Sequence, residues 1–155
     1  MSLAVRTILL FSLPAAILSA QSVICTTSAV PPIVRVEGLA ERIGDIGIVC
    51  TGQPNATLIA NFTVSMNANI TNRISSGNTL TGIVFTVDSG IGPQAVLSQP
   101  LLLTPNTLSF GGVSVAFSAQ GSVALNIADI RVDTSVLTDE EVAVAILTKL
   151  RKSEF

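Results

Sequence analysis

The chain has 155 residues, 48% of them hydrophobic, with a mean hydropathy of +0.67. That suits one domain with a buried core and excludes a disordered chain. It contains no His, Trp or Tyr. Imidazole-based catalysis, His-ligated zinc and Trp/Tyr platforms for sugars or bases are therefore excluded. Eight basic against ten acidic side chains give a net charge of −2 and no pull toward nucleic acid or anionic lipid.

Residues 1–22 read as a secretory signal peptide: Arg6 supplies the basic start and residues 7–18 the apolar stretch. Small residues around Ala20 and Ser22 then offer cleavage sites. The apolar run falls short of the roughly 20 residues that span a bilayer, so no membrane span is expected. Ile24 before Cys25 does not suit lipid attachment. Export gives the two cysteines, Cys25 and Cys50, an oxidising setting, where one disulfide between them is the expectation. Closing that loop is worth about 3 kcal/mol.

Past the signal, apolar residues recur with period two. Pro31 and Pro32 lead into a first strand over 33–36, with Val34 and Val36 inward and Arg35 and Glu37 outward. Residues 38–44 read as a turn, and 46–50 as a second strand. The clearest strand covers 60–71. Ala60, Phe62, Val64, Met66, Ala68 and Ile70 take one phase; Asn61, Thr63, Ser65, Asn67, Asn69 and Thr71 take the other. A fourth strand runs over 80–87, with Ile83, Phe85 and Val87 inward. Pro100 makes 95–103 an edge strand or two short pieces. Gly111 and Gly112 split 108–117, where Val113, Val115 and Phe117 share a phase. Residues 122–132 slip phase between Val123, Leu125, Ile127 and Ile130, Val132, which predicts a bulge near Ala128 and Asp129.

About seven strands with turns and no helix between them call for an antiparallel β-sandwich over 23–137, immunoglobulin-like in size, with a barrel as the other option. The core is expected at Val34, Val36, Ile46, Ile48, Phe62, Val64, Met66, Phe85, Val115, Phe117, Leu125 and Ile127. The charged tail, 138–155, reads as a short helix. Thr138 to Glu141 form a capping box, and Val142, Ile146 and Leu150 form a stripe, with Lys149, Arg151 and Lys152 at the end. Val142, Val144 and Ile146 also alternate as a strand would.

Several blocks carry a family resemblance: residues 30–38, Cys50-Thr51-Gly52, 60–64 with 69–73, and 127–133. In this order they resemble uncharacterised secreted β-rich proteins of soil acidobacteria, over most of 30–136. The resemblance implies an extracellular β-rich module, often one part of a longer chain, and no activity. It also implies further strands after Val136, from which the charged tail departs.

Chemistry-bearing motifs are few. Asn55, Asn61 and Asn69 each begin an N-glycosylation pattern, though strand alternation already explains Asn61 and Asn69. Asp88, Asp129 and Asp133 are the carboxylates to weigh for calcium, but no Asp-rich loop of calcium-site spacing holds them, and solvent-facing side chains explain them better. Glu37 and Glu41 flank a turn without an aromatic to hold a sugar. Gly111-Gly112 lacks the Lys and helix of a phosphate loop. No cofactor, metal site or enzymatic activity is expected. The expected role is structural or adhesive, with self-association or contact with other surface proteins through sheet edges. The alternatives are a monomeric binding module for a small ligand or polysaccharide, and a pilin-like subunit with residues 23–32 as a donated arm.

Overall fold

The computed structural model describes residues 22–29, 38–135, 137, 145–147 and 151–152. The apolar leader, the strand over 33–36 with core positions Val34 and Val36, Glu37, and most of the tail lie outside the described residues. The strands are β1 (Ile24–Ala29), β2 (Glu41–Arg42), β3 (Ile46–Thr51), β4 (Thr57–Met66), β5 (Val84–Asp88) and β6 (Gln94–Ala95). Then follow β7 (Leu101–Thr104), β8 (Thr107–Ala116), β9 (Ser122–Ala128), β10 (Arg131–Val132), β11 (Ala145–Leu147) and β12 (Arg151–Lys152). One sheet has the order β1-β3-β9-β5-β6; a second has β11-β4-β8-β7, with β12 also on β4; β10 and β2 form a two-stranded ribbon. Both larger sheets are antiparallel and end in edges, so the fold is an open two-sheet sandwich and not a barrel.

The alternation that marks β4 buries Ala60, Phe62, Val64 and Met66 on the inner face. Its ladder with β8 ends at Ser65 and the strand at Met66, earlier than the 12 residues of alternation predict. Beyond it the β7–β8 turn takes over the pairing. Met66 N–H donates to the Asn106 carbonyl at 2.9 Å and Ile70 N–H to the Pro105 carbonyl at 2.7 Å. Ala68 and Ile70 stay buried in the same phase.

Opposite Asn61, β8 carries one extra residue: Ala60 faces Val113 and Phe62 faces Phe110. Gly112 takes φ +66° there, and the bulge lets Leu108 and Phe110 share the inner face with Val113 and Val115 despite opposite parity. The glycine pair therefore bends one continuous strand and does not split it.

The phase slip after Ile127 has a related cause with a different result. Asp129 sits at φ +63° and ends β9. The chain then leaves the five-stranded sheet as β10, which pairs with β2. Both parities are buried, Val123, Leu125 and Ile127 before the break and Ile130 and Val132 after it. The expected single strand over 122–132 is thus two strands, and the expected turn over 38–44 contains β2. The stretch 95–103 resolves into two short pieces, β6 and β7, with buried Pro100 between them.

The tail corrects the helix expectation. Ala145–Leu147 and Arg151–Lys152 are strands, antiparallel to Val64–Met66 and Ala60–Asn61 of β4. The strand alternative rested on β-branched alternation, and the outer edge of β4 supplies the partner such a segment needs.

The two sheets meet through three aromatic rings. Phe85 of β5 stands edge-on to Phe62 of β4, centroids 5.2 Å apart at 81°, and tilts against Phe110 of β8 at 4.7 Å. Ile46, Ile48, Val64, Met66, Val115, Phe117, Leu125 and Ile127 are buried around them. Ile83 and Val87, expected inward, are only partly buried.

Candidate functional site

Cys25 and Cys50 lie directly opposite each other on β1 and β3 and form a disulfide, with Cα atoms 4.0 Å apart. Pairing on neighbouring strands follows from sheet register: both residues occupy the inner phase of their strands, and Cys50 is buried. The bond clamps β1 to the sheet near its start.

The outer face of the five-stranded sheet is low and almost uncharged. Register sets Thr26, Val49, Ala124 and Asp88 in one row across β1, β3, β9 and β5, and Ser28, Gly47, Asn126 and Thr86 in the next. Asp88 is the one ionisable group in these rows. Its Oδ1 accepts from the N–H groups of Gly90 at 2.7 Å and Gly92 at 3.1 Å, so it organises its own loop. The outer face of β4 and β8 carries hydroxyls: Thr63 opposes Ser109, and Ser65 opposes Thr107 with oxygens 3.3 Å apart. Asn61 belongs to this face and accepts the Gly112 N–H at 2.8 Å, which holds the bulge.

Charge gathers at one end, around β2 and β10. Arg42 reaches Asp129 Oδ1 with Nε at 2.8 Å and Asp45 Oδ1 with Nη2 at 3.1 Å. Arg131 Nη1 donates to the Ala40 carbonyl at 3.1 Å. The side chains of Arg42, Asp45 and Asp129 are about half exposed, so each pair is worth at most about 1 kcal/mol. Beneath them lies buried Asn72. Its Oδ1 accepts the Arg131 N–H at 2.7 Å, and its Nδ2 donates to the carbonyls of Asp129 at 3.0 Å and Thr81 at 3.4 Å.

The three aspartates weighed for calcium are thus held apart in separate roles. Asp88 organises a loop, Asp129 pairs with Arg42, and Asp133 caps Ser135 through its N–H and hydroxyl. Among the described residues no three Cys, His, Asp or Glu side chains stand together as a metal site. The Glu41 side chain lies over Gly38, where a Cβ would collide with it. Asn55 sits at φ +57° in an exposed turn, its N–H donating to the Ser118 carbonyl at 3.1 Å, while Asn69 is exposed beyond the end of β4. The roles of Arg42 and Asn72 were missed from sequence. Asn72 had a sign: it falls in the inward phase that runs through Met66, Ala68 and Ile70, where a polar side chain needs partners.

Among the described residues the outer rows of the two sheets carry few ionisable residues, Asp88 on one and Arg151 opposite Asn61 on the other, and the ion pairs gather at the β2–β10 end. Such surfaces suit contact with another extended protein surface. Comparison with family models, curated proteins and solved structures returned no match.

Proposed function

We propose that this chain is a secreted, non-catalytic β-sandwich module with a structural or adhesive role outside the cell, assembling through its sheet edges. The observation that carries this reading is the division of the described surface: the ion pairs cluster at the β2–β10 end, while the outer rows of the two sheets hold few ionisable residues, Asp88 on one and Arg151 opposite Asn61 on the other, and β1 holds none. Desolvating such surfaces costs little, whereas burying unpaired charge costs several kcal/mol. Export is supported by the signal-peptide pattern of residues 1–22 and by the Cys25–Cys50 disulfide, which an oxidising compartment favours. Among the described residues no helix is long and apolar enough to cross a membrane.

The test is the mass of the secreted, non-reduced protein by light scattering, with negative-stain microscopy of the same sample. A defined oligomer or polymer is expected. A monomer near the mature-chain mass at all concentrations would contradict assembly and favour a monomeric binding module.

A further inference from the structure

Each large sheet has edges, and they are treated differently. On the second sheet, the outer edge of β4 is covered by β11 and β12. At its other end β7 is bridged by Thr79 opposite Leu101, with Leu80 N–H on the Pro100 carbonyl at 2.8 Å. On the first sheet, β6 is two residues long. β1 is six residues long and, among the described residues, pairs only with β3. Its residues, Ile24-Cys-Thr-Thr-Ser-Ala29, include no charge and no proline, the usual guards of a free edge.

The backbone of β1 says which groups are on offer. The 4.0 Å Cα separation of Cys25 and Cys50 marks a narrow, non-hydrogen-bonded pair. Ile24, Thr26 and Ser28 therefore bond to β3, and the N–H and C=O of Cys25, Thr27 and Ala29 point away from it.

We propose that β1 pairs antiparallel with β1 of a second copy of this chain, with Thr27 on the twofold axis, joining two five-stranded sheets into one. This rests on the reading of the protein as a self-assembling module and names its partner. A twofold axis normal to the sheet keeps each face on its own side, so residues of like parity must pair. Placing Thr27 on the axis matches Thr27 with itself and Cys25 with Ala29, using every outward donor and acceptor. Shifting the axis to Thr26 leaves Ala29 unmatched. A second copy suits this edge because the register matches the strand to itself, and because β1 and its neighbour β3 carry no ionisable residue, so two net-negative molecules meet there without like charges in contact. The disulfide keeps β1 on its own sheet while its outer side is engaged.

Sedimentation velocity of the secreted, non-reduced protein over a concentration series tests this. Thr27→Pro removes the N–H on the axis and spares the β3 ladder. Thr27→Lys, at an exposed position, sets two like charges face to face and serves if the proline variant fails to fold. A wild-type dimer is expected, with dissociation constants at least about tenfold weaker in the variants and unchanged urea midpoints at dilutions where all are monomeric. An oligomer insensitive to both folded variants overturns the β1 pairing and leaves self-assembly standing. A wild-type monomer throughout the series overturns both.

Discussion

At the scale of single residues, Asn72 and Phe62 bear the most. Asn72 is a buried amide whose three hydrogen bonds all go to backbone groups, tying the loop before β5 to the β9–β10 break. Asn72→Ala strands the Arg131 N–H and the Asp129 carbonyl in a buried place, and each unsatisfied group costs about 1–3 kcal/mol. A loss of about 2–4 kcal/mol is expected in urea unfolding, with the Arg131 amide exchanging faster than the amides of β3. Phe62 is 2% exposed and edge-on to Phe85. Phe62→Ala should cost about 3–5 kcal/mol, and a loss under about 1 kcal/mol would contradict the placement of this ring between the sheets.

At the scale of elements, left-handed residues decide where strands bend and end. Gly112 has φ +66° and open space where a Cβ would stand, so Gly112→Ala carries only the conformational cost of about 1–2 kcal/mol. Gly121, at φ +74°, would drive a Cβ into the Gly52 carbonyl. Gly121→Ala should lower the urea midpoint further than Gly112→Ala. Replacing both cysteines by Ala should cost about 3 kcal/mol and raise amide exchange first in β1, which among the described residues has one neighbouring strand. The inner faces of β3, β4 and β9 were legible because strict alternation survives wherever one sheet face is buried. The strand break at Asp129 was legible only as a change of parity. A parity change reports that one residue is out of phase, and not whether the chain then stays in its sheet. β2 and β10 are two residues each and pair Arg131 with Arg42 and Val132 with Glu41, far apart in sequence, so no local periodicity marks them. The tail carried two competing patterns, and the vacant side of β4, a tertiary feature, decided between them. The disulfide was legible from the cysteine count and the leader pattern of residues 1–22. The charged end was not, because Arg42, Asp45 and Asp129 meet only after β9 and the loop after β2 are brought together.

At the scale of the whole molecule, the described ion pairs lie at one end of the sandwich, away from the β1 edge through which we propose that it assembles. Among the described residues the ion pairs gather around Arg42, while the outer rows through Val49 and Ala124 hold Asp88 as their one ionisable group and β1 holds none. The most direct measurement is amide exchange in β1, residue by residue, at low and high protein concentration in non-reducing buffer. In the monomer Thr26 and Ser28 are protected by β3, and Cys25, Thr27 and Ala29 exchange freely. Concentration should protect Cys25, Thr27 and Ala29 while leaving Thr26 and Ser28 unchanged. Exchange at Thr27 that stays fast and independent of concentration, in a sample shown to be associated, would contradict assembly through the β1 edge.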